Sequence, residues 1–233
     1  SAAWRITEEN FLKDNNILTY LKLRAEWGQV GNQNVGTYPF ASTLSTTQYY
    51  FNETPNQGVY VSGSANPELT WETKESFNIG LDGNIKEDLL SFTIDVFKER
   101  TSDILLTVPV PTTYGRSAPT QNAGIVENRG WELELTHRNS FSDFSYNLSF
   151  NISNTRNEVI DLKGTGPWRG GNTITEVGYP MYEWYGWEAD GFFQSEAEVE
   201  DHSFQNPDTS PGDIKYVENG GDPNTITSED RVR

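Results

Sequence analysis

The sequence predicts an all-β chain: an antiparallel fragment of a transmembrane β-barrel, about five strands wide, with long extracellular loops. Three observations predict it. Five segments alternate apolar and polar residues with period two, the periodicity of strands and not of helices. The alternation persists for roughly 9–11 residues, the span of a membrane-crossing strand, where soluble strands average about 5–6. The connections alternate between short and long, as they do in outer-membrane barrels. A half-buried sheet of a soluble sandwich also alternates, so strand length and connection length are what separate the two architectures.

The elements follow in order. The first strand, near 17–29, sets Leu21, Leu23, Ala25 and Trp27 against Lys22, Arg24, Glu26 and Gly28. The second, near 73–83, sets Phe77, Ile79 and Leu81 against Ser76, Asn78, Gly80 and Asp82. The third, near 89–98, sets Leu90, Phe92, Ile94 and Val96 against Ser91, Thr93 and Asp95. The fourth, near 125–137, sets Trp131, Leu133 and Leu135 against Glu132, Glu134 and Thr136. The fifth, near 144–154, sets Phe144, Tyr146, Leu148, Phe150 and Ile152 against Ser145, Asn147, Ser149, Asn151 and Ser153. Tight turns are expected around 84–88 and 138–143, and long outer loops over 30–72, 98–124 and 155–233, the last without a further clear strand. Ala2, Ala3 and Trp4 read as the end of a preceding strand.

Composition narrows the function classes. The chain has 233 residues, 34% of them hydrophobic, which is lean for one large core, yet 13% are aromatic, which argues against disorder. No apolar run approaches the roughly 18 residues of a membrane helix. A net charge of −17 makes nucleic acid an unsuitable partner. With no Cys there is no thiolate metal site, disulfide or Cys nucleophile, and the two His, His137 and His202, lie far apart in sequence.

Several stretches resemble, in order, the SusC/RagA-type TonB-dependent outer-membrane transporters of Bacteroidetes. They are LKLRAEWGQVGNQN at 21–34, NPELTWET at 66–73, FNIGLD at 77–82, VPVP at 108–111, NAGIVENRGWE at 122–132, NEV at 157–159, DGFFQ at 190–194, PGDIKY at 211–216 and Asp230-Arg231. The resemblance covers essentially the whole chain. It implies an importer of oligosaccharides or peptides in the cell outer membrane, surrounded by outer-membrane lipid. It also implies a SusD-type lipoprotein lid and a TonB complex acting through a plug that this stretch does not contain. About five strands are too few to close such a barrel, so the chain reads as a portion of one.

Candidate site residues lie in the loops. Tyr49, Tyr50 and Trp168 are candidates for stacking on a sugar ring; Trp184, Tyr185 and Trp187 read as packing of a long loop. The acidic stretch 183–230 suggests hard-cation chemistry, but its 218–224 segment departs from a calcium-loop spacing and carries Pro223, so a solvated acidic surface is favoured. No cofactor and no metal site are expected. The Gly-rich stretch 164–171 lacks a phosphate-loop Lys and reads as a loop. Nothing singles out a catalytic pair among 34 acids, and no enzyme is expected. The alternative from another class is a soluble β-sandwich carbohydrate-binding module.

Overall fold

The computed structural model describes residues 1–35, 40–108, 110–220 and 222–233. Pro109 of the 108–111 motif and Gly221 of the acidic stretch therefore lie outside the described residues. Two compact units are present: Ser1–Gly166 with Val177–Pro180, and Pro167–Glu176 with Met181–Arg233.

The first unit is built on a six-stranded antiparallel meander. Its strands are β1 (Ala2–Arg5), β2 (Leu18–Asn32), β3 (Glu72–Ile85), β4 (Leu90–Ser102), β5 (Ile125–Phe141) and β6 (Phe144–Asp161), each paired with its neighbour in sequence. β1 is the strand that Ala2, Ala3 and Trp4 announce. The strands run past the limits of their alternating patterns. β5 and β6 stay paired down to Phe141 and Phe144, so only Ser142 and Asp143 turn the chain. Ser142 takes a left-handed φ of 51° there, and Ser140 and Ser145 hydrogen-bond across the strands at 2.9 Å. At the other end β6 continues to Asp161, because its backbone keeps pairing with β5 where the side chains no longer alternate in polarity.

Cross-strand register turns the individual patterns into rows. Trp4, Leu23, Leu81, Ile94, Leu133 and Ile152 lie opposite one another across all six strands. Two residues along, so do Ala2, Ala25, Ile79, Val96, Trp131 and Asn154. These rows share one face of the pleat, and that face is uncovered: Ile79 is 43%, Val96 56% and Phe150 54% exposed. The rows of the opposite parity are polar; Arg5, Lys22, Asp82, Thr93, Glu134 and Asn151 form one, on the far side of the Leu23 row.

The polar face is bound by charge. The Arg24 guanidinium donates from Nε and Nη2 to the two oxygens of Asp82 at 2.9 and 3.0 Å, and from Nη2 to Asp95 at 3.1 Å. Asn78 donates to the same Asp95 carboxylate at 2.8 Å. Four polar groups on three strands are thereby tied together, with Gly80 at their centre. A Cβ on Gly80 would lie 2.5 Å from both Arg24 Nη2 and Asp95 Oδ1, so only glycine lets the guanidinium cross β3.

Well-buried side chains of this unit gather where the strands meet the loops: Val108, Ala123, Val126, Val159 and Leu162. The expected loop 30–72 contains a two-stranded hairpin, Leu44–Phe51 with Thr54–Val61. The expected loop 98–124 contains the pair Leu105–Thr107 and Thr120–Asn122.

The second unit corrects the expectation of no strand after the fifth. Trp168–Gly170, Thr173–Thr175 and Glu183–Trp184 form a three-stranded sheet. Gly186–Trp187 pairs with Arg231–Val232, and Ala189–Phe192 with Ile214–Tyr216. These strands are two to four residues long, too short for period two to register. A single helical turn and a half, Glu196–Asp201, starts at Ser195, whose side chain accepts from the Glu198 N–H.

The Arg24 network makes a prediction. Arg24→Met leaves Asp82 and Asp95 side by side without a cation, which costs about 1–3 kcal/mol by the price of unpaired partly buried charge, whereas Arg24→Ala with Asp95→Asn together lose less than the sum of the two. Thermal unfolding of the intact protein, read as the temperature at which its folded electrophoretic form disappears, checks both.

Candidate functional site

The loop end of the wall is assembled by side chains that reach from one loop to the next. Asn122 is the main clamp. Its Oδ1 accepts from the Thr70 N–H at 2.9 Å, and its Nδ2 donates to the carbonyls of Thr70 and Asp103, both at 2.8 Å. Asn66 donates to the Thr120 carbonyl at 3.0 Å. Glu72 accepts from the Leu105 N–H with one oxygen and from Asn32 with the other, each at 2.8 Å. A polar cleft of about 460 Å³ lies over these clamps, lined by Asn66, Glu68, Thr70, Asp103, Gln121 and Lys163 among others. Amides, a hydroxyl, two carboxylates and an ammonium face it, with Lys163 and Asp103 3.5 Å apart. Such a lining offers donors and acceptors to a neutral polar solute. It offers no activated nucleophile.

The hairpin 44–61 presents the aromatic candidates. Its turn residues Asn52 and Glu53 both have left-handed φ, 47° and 64°, which is the geometry that lets a two-residue turn follow the strand twist. Tyr49 is 54% and Tyr50 68% exposed. They point to opposite faces, because they are successive strand residues. Tyr49 shares its face with Phe51 and Tyr60, and its ring lies against Gly58, where a Cβ would come within 2.7 Å. Tyr50 shares the other face with Pro55 and Val59. The two tyrosines therefore do not form one platform.

Trp168 belongs to the second unit. It is half-buried opposite Thr175, and its indole Nε1 is buried without a hydrogen-bond partner among the described residues. Around it the unit is organised by Arg231, which donates to the carbonyls of Gly171 and Tyr185 and lies over the rings of Tyr185 and Trp187 at 4.8 and 5.2 Å. Trp187 also donates to the Thr227 carbonyl at 2.7 Å and packs on Tyr216. Tyr185 and Trp187 are thus packing residues, as the sequence suggests. Trp184 is not: it is 78% exposed, because alternation along the chain turns it away from the side that Tyr185 buries. Phe193 is 2% exposed, with the His202 ring edge-on at 5.2 Å.

Several acids of 183–230 are held by nearby backbone N–H groups, two pair with Lys215, and Glu183 lies 3.6 Å from Arg233. Asp230, fully buried, accepts from the N–H groups of Thr227 and Asn219 at 2.7 and 3.0 Å. Glu218 accepts from the Gly220 N–H, and Asp222 from that of Asn224. Lys215 bridges Glu198 at 3.0 Å and Asp190 at 3.2 Å. Among the described residues, no group of three or more His, Asp or Glu side chains is placed to hold a metal ion. Two groups are shifted. The Gln194 N–H, then Lys215, hold the Glu198 carboxyl below the usual carboxylate range. Glu198, then Asp190, hold the Lys215 ammonium above its ordinary value.

The description "TonB dependent receptor-like, beta-barrel" fits residues 1–228. The chain belongs to this family. TonB-dependent receptor P26 of Formosa agariphila is 30% identical over 241 residues, covering the whole chain and 24% of the relative. TonB-dependent receptor SusC of Bacteroides thetaiotaomicron is 36% identical over 167 residues, 69% of this chain and 17% of that protein. Among solved structures, the RagAB peptide transporter superposes with a TM-score of 0.73 at 28% identity, covering 83% of this chain and 21% of its own. The RagAB peptide importer in its "open-open" state gives 0.75 at 25% identity over 97% of this chain and 23% of its own. The chain thus spans between about a sixth and a quarter of the length of the curated relatives it matches. The six-stranded sheet is a stretch of receptor barrel.

Two predictions follow from the loop contacts. Asn122→Ala removes three hydrogen bonds and strands two carbonyls, at a local cost of about 1–3 kcal/mol. Hydrogen exchange in the intact receptor will quicken at Thr70 and at 105–107 and stay unchanged in β3 to β5. The Lys215 clip has a pH window. The lowered Glu198 contributes stability that is complete above the usual carboxylate range and is lost as pH falls through its depressed value. The raised Lys215 contributes stability that is complete below its ordinary value and is lost as pH rises through the elevated one. Protection factors at 190–216, exchange rates taken relative to the intrinsic rate at each pH, will therefore be highest between those limits, and Glu198→Gln will abolish the fall on the acid side.

Proposed function

We propose that the chain forms part of the barrel wall and the outer loops of a TonB-dependent importer of oligosaccharides or peptides in the outer membrane. The observation that carries the reading is the row pattern. Over the middle of the six-strand sheet, alternate rows are apolar and uncovered, and the rows between are polar, with one charged cluster linking three strands. An uncovered apolar face of this extent suits lipid, and a soluble sandwich would have covered it with a second sheet. The polar face suits a lumen filled by water and a plug. The short turns after β3 and β5 then lie on the periplasmic side and the long loops outside.

In this reading the wall performs no chemistry. Energy comes from a TonB complex acting on a plug carried elsewhere in the receptor, and a SusD-type lipoprotein closes over the loops. The amide-rich cleft and the aromatic hairpin supply hydrogen bonds and flat apolar surfaces, which suit glycan and peptide alike; the peptide-importing RagAB neighbours favour the second. The excess of acid in the chain disfavours an anionic substrate unless cations or the lid intervene.

The test is uptake in cells carrying the intact receptor. Removing the tip 49–51, or shortening 164–171, will lower uptake of the cognate oligomer several-fold at unchanged outer-membrane abundance, since surface loops tolerate such loss better than strands. Normal uptake after both deletions would place the binding surface elsewhere in the receptor.

A further inference from the structure

The apolar face ends in a row that the transport reading does not use. Going outward from the Val96–Trp131 row, the next residues on that face are Trp27, Phe77, Lys98, Arg129 and Arg156, each opposite the next. Three cations thus stand side by side on β4, β5 and β6. Like charges directly opposite one another repel across strands. Only 17 of the 233 residues are basic in a chain of net charge −17, so three in one row are not a by-product of composition.

Two of the three are neutralised within the sheet. Lys98 pairs with Glu127 at 2.9 Å and Arg129 with Glu158 at 3.3 Å. Both acids belong to the row one step further out. Arg156 is exposed and has no hydrogen bond or ion pair among the described residues. Arg129, with only one of its nitrogens engaged by Glu158, is exposed beside it. A shallow, mostly apolar hollow of about 590 Å³ is lined by Ile94, Val96, Phe97, Trp131 and Asn154 together with Arg129 and Arg156.

The height of this row fits a membrane boundary. From Phe144, beside the short turn, to Asn154 is ten residues along β6. That is about 33 Å at ~3.3 Å per residue and about 25 Å along the membrane normal at a tilt near 40°, the height of a barrel's apolar band. Arg156 stands just above that band, at the end opposite the short turns. An anion there would meet two guanidinium groups in the charge-assisted geometry that phosphate favours, and an acyl chain hanging from it would lie in the hollow over Trp131.

We infer that Arg156 and Arg129, with the hollow they help to line, form a seat for a phosphorylated lipid of the outer leaflet, its phosphate on the guanidinium pair and an acyl chain against Trp131, Val96 and Ile94. The inference rests on the reading that this face meets lipid. It adds a bound lipid to a wall otherwise bathed in bulk membrane.

Native mass spectrometry of the intact detergent-purified receptor tests it, with bis-phosphorylated lipid A and its dephosphorylated form as probes. The unaltered receptor will retain the phosphorylated form at least about tenfold more tightly, and inorganic phosphate at millimolar concentration will not displace it. The double variant R129Q/R156Q will lose the preference while keeping its folded electrophoretic form, and Arg156→Lys will keep much of it. Equal retention of the two lipids by the unaltered receptor overturns the proposal. So does an undiminished preference in the double variant, which would mean that the phosphorylated lipid is held elsewhere on the receptor. Displacement by inorganic phosphate would reduce the seat to a plain anion site. A receptor that fails to enter bilayers at all would sink the membrane reading instead, an outcome distinct from each of these.

Discussion

The structure depends on cross-strand register. Because successive strand residues face opposite ways, one residue of slip between any two strands would carry a whole apolar set onto the charged face. Here the register is pinned on the polar side. Arg24 of β2 can reach Asp82 of β3 and Asp95 of β4 together only when Gly80 lies directly between them. The same pairing sets Leu23, Leu81 and Ile94 in one row on the other face. Charge on the polar face and apolarity on the other are thus two consequences of one alignment, and the Arg24 cluster acts as the key that fixes it.

The stretches that mark the family turn out to be joints as much as binding groups. Asn66, Glu72 and Asn122 hold neighbouring loops together through backbone hydrogen bonds. Arg231 gathers Tyr185, Trp187, the Gly171 carbonyl and the Asn172 side chain into one knot. This division is physically sensible. Side-chain-to-backbone bonds fix the base of a loop in one shape without constraining its tip.

How much of this the sequence shows depends on length and on parity. The wall strands are legible because Leu, Ile, Phe and Trp recur at every second position over long runs. Their outer ends are not, because Lys98, Arg129 and Arg156 put charge on the apolar parity and make the pattern look finished while the ladder continues. The hairpin 44–61 is hidden for a different reason: Ser45, Thr46, Thr47 and Gln48 are polar on both faces, so period two has nothing to contrast. In the second unit the strands, two to four residues long, give alternation too few residues to stand out. Asn122 and Arg231 are visible as motif letters, but their partners are backbone atoms, which carry no letter. Trp168 can be singled out as a large loop aromatic, while its half-burial and its unpaired indole N–H come only from the packing.

The charge pattern carries the argument one step further. Acids outnumber bases two to one in the chain, yet the sheet's bases are not scattered among them. Arg24 bridges two acids on the polar face; Lys98 and Arg129 each meet an acid one row outward on the other. On the polar face Arg24 reaches Asp82 one row inward and Asp95 in its own row across β3, and Lys74 reaches Glu99 one row inward, which binds strands together. On the apolar face Lys98 and Arg129 pair one row outward, which leaves the inward sides of Lys98, Arg129 and Arg156 facing the apolar band. A sheet that needed only strand cohesion would have no reason to treat its two faces differently. A sheet whose apolar face stops at a layer of fixed negative charge would, because a cation lifted out of that layer loses a partner and a cation sunk below it loses water. The height of the row is then set from outside the protein, by the thickness of the medium the wall stands in.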